Sequence, residues 1–165
     1  MITPQHLINA IWNEIRILKH LGSKVTTANK DFKLTPTQRS IEELEHYIIS
    51  SFPAQVYLMV KWSWDENLYM ELTGKFEWFT FDKFVWELDN SFAVISEQIN
   101  TLTDAQWQEE MTIRGMNWPR TRFLNDYVLT FLWAYKMQLF LQLKASGLTE
   151  LSTYNLRAGM DAPKS

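Results

Sequence analysis

Three histidines are the first side chains to test for chemistry, and one sits in a suggestive pattern. Glu43 and His46 form Glu-x-x-His, with Glu42 one turn before the imidazole. On a helix this spacing puts a carboxylate and an imidazole on one face, the pairing that carboxylate di-iron bundles use twice. No second copy occurs in the chain. At about 100° per residue, His46 also lies roughly 140° around its helix from Ile41, which points it away from the apolar stripe. The pattern predicts a solvated acidic face carrying one histidine. His6 and His20 fall off the apolar stripe of their own helix and are expected at the surface.

Other chemistries find less support. The chain has no cysteine, which removes thiolate nucleophiles, disulfides and cysteine zinc sites. There is no Gly-x-Ser-x-Gly elbow, phosphate loop or dinucleotide fingerprint. Arg114, Arg120 and Arg122 cluster ahead of the last long helix. At a helix N-terminus they are candidates to hold an anion; as surface residues they would instead serve as ion-pair partners. Sixteen basic against nineteen acidic residues leave a net charge of −3, without the basic footprint of a dedicated nucleic-acid binder. The residues from Met1 lack a basic segment followed by an apolar core, so a cytoplasmic protein is expected. Eight Trp, ten Phe and six Tyr make 15% of the residues. Such a load fits a ring-packed core with a subunit interface, or a ligand pocket.

The elements that must position these residues read as helices. Thr3 as N-cap with Pro4 at the first helical position opens a helix whose stripe is Leu7, Ile8, Ile11, Ile15 and Leu18. Gly22 is expected to close it in the left-handed conformation. Ser40 and Glu43 have capping-box spacing ahead of Ile41, Leu44, Ile48 and Phe52. Pro53 should break or kink that helix, with a further helical piece beyond. Phe84, Leu88, Phe92, Ile95, Ile99 and Leu102 share one face of a third long helix. Thr103 and Gln106 cap a short one, and Pro119 leads into the fourth long helix, which Gly147 stops. No period-two alternation stands out. Length and pattern predict one all-α domain over residues 1–165, a four-helix bundle with short extra helices in its connections and a polar tail from about residue 149.

The fourth helix carries the most information. From Val128 to Leu143 its only charge is Lys136, but the run is short for a membrane span and also holds Gln138 and Gln142. One side shows Val128, Phe131, Tyr135, Gln138, Leu139 and Gln142; the other shows Leu129, Trp133, Met137 and Phe140. A helix apolar on both sides must be covered on both. Leu129, Trp133 and Phe140 are therefore a candidate homodimer face, with the segment between Trp62 and Phe81 as the alternative cover. Tyr135, Gln138 and Gln142 put polar atoms inward, as a satisfied network or as the wall of a small pocket.

The ordered stretches "KHLGSKV", "RSIEELEHYI", "INTLTDAQW" and "YKMQLFLQLKASGL" together resemble the DinB-like (DinB/YfiT-type) four-helix-bundle superfamily over nearly the whole chain. The resemblance implies a metal held by three histidines, one from the second helix and two from a His-x-x-x-His pair in the fourth, and thiol S-transferase or isomerase chemistry. With Gln138 aligned to the glutamine of that pattern, the fourth-helix ligand positions fall on Phe131 and Tyr135. The second-helix position falls on Tyr47, or on His46 if the register is displaced by one. Phe131 offers no donor, and a catalytic zinc generally needs three protein ligands. The expectation is a bundle without metal or other cofactor, its site filled with rings. It would be non-enzymatic, homodimeric and able to bind a small apolar or aromatic ligand or a protein partner, with no role at nucleic acid or membrane. The alternative is a metal-independent thiol S-transferase in which Tyr135 or Tyr47 handles the thiol proton.

Overall fold

Thr3 accepts a hydrogen bond from the His6 amide at 3.2 Å, with Pro4 in the first turn, and from that cap runs α1 (Pro4–Gly22). In the computed structural model, which describes residues 3–62, 65–113 and 116–163, it is followed by α2 (Ile41–Lys61) and α3 (Glu66–Gly74). A single 3₁₀ turn, Phe81–Lys83, leads into α4 (Phe84–Asn100); α5 (Asp104–Gln108), strands β1 (Glu110–Ile113) and β2 (Met116–Pro119), and α6 (Arg120–Ala145) follow, with a last helical turn at Tyr154–Ala158. The four long helices α1, α2, α4 and α6 form the bundle, and the protein is all-α apart from the hairpin. Helices α1 and α2 each pack on both α4 and α6, which places α1 diagonally opposite α2. The connection from residue 23 to 40 therefore crosses one end of the bundle. The core contains Leu7, Ile11, Ile15 and Leu18 of α1, Leu44, Ile48 and Phe52 of α2, Phe84, Leu88 and Ile95 of α4, and Leu132 and Leu139 of α6. Both capping boxes form as their spacing requires.

Three local expectations are corrected. Gly22 does not end α1 in a left-handed turn; the helix runs through it to Ser23, whose backbone is right-handed. Close approach accounts for the glycine: a Cβ there would lie 2.4 Å from Phe84 Cδ1 and 3.4 Å from Glu45 Oε1. The Phe84 ring is fully buried and has nowhere to go. Gly22→Ala should cost about 1–3 kcal/mol through overpacking, measured as a lower urea midpoint at unchanged m-value. Pro53 does not break α2; the helical piece expected beyond it is part of the same helix, which continues to Lys61. A proline inside a helix costs about 3 kcal/mol, and here buried residues on both sides, Ile48, Ile49 and Phe52 before it and Val56, Met59 and Val60 after it, outweigh that penalty. The β1–β2 hairpin pairs Glu110 with Pro119 and Met111 with Trp118. Strands of four residues are too short for alternation to show in the sequence.

The residues after Gly147 are polar by composition but they are not a free tail. Leu151 and Asn155 are 2% exposed. Lys144 Nζ donates to the Leu151 carbonyl at 2.8 Å, and a wide helical turn, Tyr154–Ala158, packs on α1. This segment covers His20, which is therefore half-buried and not at the surface. The His20 Nε2 lies 3.0 Å from Asn155 Nδ2, and Asn155 also donates to Asp161 at 2.9 Å. Burial first, and then the nearby Lys24, lower the His20 pKa. His6 is exposed as expected.

Lys136 and Glu45 are among the ionisable side chains buried in the bundle. Lys136 is buried and its ammonium binds the Glu14 carboxylate of α1. Glu45 is 0% exposed, and neither carboxylate oxygen has a hydrogen-bond partner among the described residues. Burial, followed by the neighbouring Glu42 charge, raises the Glu45 pKa well above the ordinary range. Among the described residues, no helix is long and apolar enough to cross a membrane.

Candidate functional site

The capping box fixes where α2 starts and hence the phase of its side chains. Glu43 N–H donates to Ser40 Oγ at 3.2 Å, and Ser40 N–H donates to Glu43 Oε2 at 2.6 Å. One turn on, Tyr47 points toward α6, where Phe131 and Tyr135 stand one turn apart. The three rings converge. Tyr47 lies 5.9 Å from Phe131 and 5.0 Å from Tyr135 between ring centres, the latter edge to face. Phe131 and Tyr135 are 4.5 Å apart, and Phe52 stacks on Phe131 from below at 5.8 Å. Phe131 is buried, whereas Tyr47 and Tyr135 are half-buried. Aromatic pairs at these distances add stabilisation beyond their buried area.

This cluster does not suit a metal held by three imidazoles. It offers two phenols and a hydrocarbon ring. Burial, with the adjoining Tyr47 phenol next, pushes the Tyr135 pKa up to about 12. That shift favours the neutral phenol, a poor ligand. It is also opposite to the lowering a thiol-deprotonating tyrosine needs at neutral pH. Among the described residues, no group of three or more His, Cys, Asp or Glu side chains comes together so as to hold a metal ion.

Beside Tyr47 opens a cleft of about 550 Å³ between α2, α3 and the crossing connection. Tyr47 and His46 lie in one wall, Tyr69 and Thr73 of α3 in another, and Lys33 and Arg39 at the connection. The Arg39 guanidinium carbon stands 4.0 Å from the centre of the Tyr47 ring. The Arg39 carbonyl accepts from Gln142 Nε2 at 2.8 Å, which ties the connection to α6. Lys33 is paired with Glu43 at 2.8 Å. His46 does not stand on a solvated face as its wheel position suggested. It is half-buried, its ring lies 5.6 Å from Phe79 in a stacked arrangement, and Nε2 is buried with no hydrogen-bond partner among the described residues. The wheel gives its direction from the bundle axis correctly; segments outside the four long helices then cover it. A second hollow of about 280 Å³, lined by Pro53, Tyr57, Leu72, Phe76 and Val94, lies between α2, α3 and α4.

The remaining candidates disperse. Gln138 is half-buried one turn along from Tyr135 and does not line the cleft. Arg120 is 3% exposed, donates to Glu109 Oε2 at 2.7 Å and lies 4.2 Å over the Trp62 ring. Burial lowers its pKa against the opposing Glu109 charge. Arg122 reaches Asp126 at 3.5 Å and stacks 4.1 Å over Trp118. Both guanidiniums are thus engaged within the chain, and Arg114 lies outside the described residues. On the outer side of α6, Trp133 is 57% exposed and Leu129 half-buried, but Phe140 is 8% exposed and belongs to the chain's own core. The bundle closes further around α6 than a two-sided wheel implies, which removes Phe140 from the outer face. Arg39 and Glu45 were not singled out from sequence. Arg39 lies in a connection without periodicity, and Glu45 falls one turn after Ile41, on the buried side, where its charge argues for solvent.

No protein-family model matches the chain, and no curated protein matches it. A solved structure does: the crystal structure of a DinB-like protein, YjoA, from Bacillus subtilis, at 18% sequence identity and a TM-score of 0.66. The superposition covers 90% of this chain and 96% of that one. At this identity the likeness speaks for architecture, and the architecture it shows is a DinB-like four-helix bundle.

Proposed function

We propose that the chain is a cytoplasmic, homodimeric binding protein on the DinB-like bundle, without the metal triad of that superfamily, and that the cleft beside Tyr47 takes a small aromatic ligand. The observation that carries this reading is the cleft itself. It is open, sized within the range of small-molecule sites, and walled by the rings of Tyr47, His46 and Tyr69 at the edge of the Tyr47–Phe131–Tyr135 cluster. Rings occupy the positions that the resemblance assigns to imidazoles, so binding rather than metal chemistry is the capacity supported here. A thermal-shift screen with small aromatic compounds should yield ligands that raise the melting temperature. The same ligands should be lost in Ser51→Trp, which fills the cleft from α2. A screen without hits would leave only a partner-binding role.

The homodimer part of the reading rests on a stripe along α6. Leu129, Trp133, Met137 and Leu141 recur one turn apart, and Trp133 and Leu141 are 57% and 48% exposed. A large exposed aromatic at the centre of an apolar stripe is the usual anchor of an interface. Trp133→Glu should convert the protein to a monomer in light scattering while its helical circular dichroism stays unchanged. Monomeric wild-type protein would remove this part of the proposal.

A further inference from the structure

We infer that the ligand of the cleft is a small aromatic carboxylate, held by a salt bridge to Arg39. This inference rests on the ligand-binding reading and names the chemistry that the site selects. Among the described residues, Arg39 has no carboxylate partner, whereas Lys33 on the same rim is paired with Glu43 at 2.8 Å. Arg39 is nonetheless held in place. Its guanidinium carbon lies over the Tyr47 ring, 4.0 Å from the ring centre, and its backbone carbonyl accepts from Gln142 at 2.8 Å. A guanidinium stacked on a ring keeps its N–H edge free, in the fork geometry that matches a carboxylate with two parallel hydrogen bonds. Stacking orders the side chain without neutralising it, so much of the entropy cost of ordering is met before a ligand arrives.

The charge balance narrows the class. Lys33 and Glu43 offset one another, which among the described residues leaves one uncompensated cation at the rim and suits a single negative charge. A dianionic phosphate would need a second free cation. The walls beyond the rim carry the rings of His46 and Tyr69. The Tyr69 hydroxyl donates to Ser51 Oγ at 3.1 Å, which directs its polar edge into the protein. Rings in these walls suit a ligand with an aromatic body, its acid group at the Arg39 end.

The test uses 2-naphthoate and its uncharged amide, 2-naphthamide, as probes, with binding read by calorimetry on the full chain. Wild type should bind the acid about tenfold more tightly than the amide, the scale of a charge-assisted pair. Arg39→Gln should erase that preference, and Arg39→Lys should restore only part of it. Arg39 is exposed, and the Gln142 bond is to its backbone, so these variants retain the fold; equal melting temperatures check this. Equal binding of acid and amide, insensitive to Arg39, would overturn the carboxylate assignment while leaving a ligand-binding bundle. Binding of neither probe would sink the ligand reading and this inference with it.

Discussion

Glu45→Leu should make the protein more stable at neutral pH. Each orphaned polar group in an interior costs about 1–3 kcal/mol. Glu45 holds two such oxygens at 0% exposure, with no partner for either among the described residues. Leucine should gain on the order of 2–4 kcal/mol on that account, a rise of several degrees at roughly 2–4 °C per kcal/mol for a chain of this size. The pH dependence provides a second, sharper readout. The Glu45 pKa is raised in the folded state, so the native chain binds a proton that the unfolded chain releases above about pH 4.3. For this group stability is greatest at or below that pH. It then falls by about 1.4 kcal/mol per pH unit as pH rises toward the folded-state pKa. His20 works the other way: its lowered pKa takes stability away as pH falls below about 6.5. Glu45→Gln isolates the Glu45 contribution. The difference in unfolding free energy between wild type and this variant, taken from pH 5 upward, should carry the negative slope, because His20 cancels. A flat difference would mean that Glu45 is ionised in the fold and has a partner.

Glu45 also shows where the sequence stops being legible. The four long helices and their order, with the N-caps Thr3, Ser40 and Thr103, could be read because each rests on local rules: a capping hydroxyl ahead of the first turn, or apolar residues three and four apart. The meeting of Tyr47, Phe131 and Tyr135 was also accessible, since a resemblance supplied the register between two helices. The cleft was not. Its walls come from α3 and from residues 33–39, whose positions depend on the connection crossing the bundle end, and no periodicity encodes that path. Arg39 stacks on Tyr47 because Gln142 draws the connection onto α6, a contact 103 residues apart in sequence. His20 and His46 are misplaced by a wheel for the same reason. The wheel knows the bundle axis; the chain's last segment and Phe79 cover what it leaves outside. Gly22 is a related case. Its reason is the Phe84 ring on a distant helix, so a glycine near a helix end read as a cap although it serves packing.

Lys136→Met should be the most damaging single substitution in the bundle. In an otherwise uncharged run of α6, Lys136 is 4% exposed, and its side chain meets Glu14, whose carboxylate is itself largely covered. Removing one member of a buried pair leaves the other charge without compensation, which costs about 3–5 kcal/mol. The loss comes from the stranded Glu14 rather than from the packing of the new side chain, because methionine is similar in length and suits an apolar site. The double variant Glu14→Leu/Lys136→Met removes both charges. It should recover most of the loss and reach or exceed wild-type stability, since well-packed apolar replacements of buried pairs are often neutral or favourable. The two single variants and the double variant form a thermodynamic cycle in guanidinium unfolding, and the coupling energy should be large for residues in direct contact. Additive single effects would show that the two charges do not compensate one another in solution. A full recovery in the double variant would show that the pair adds no net stability over an apolar replacement. With Tyr135 one residue before Lys136, the rotation of α6 that turns Lys136 toward Glu14 of α1 also brings the Tyr135 ring against Tyr47.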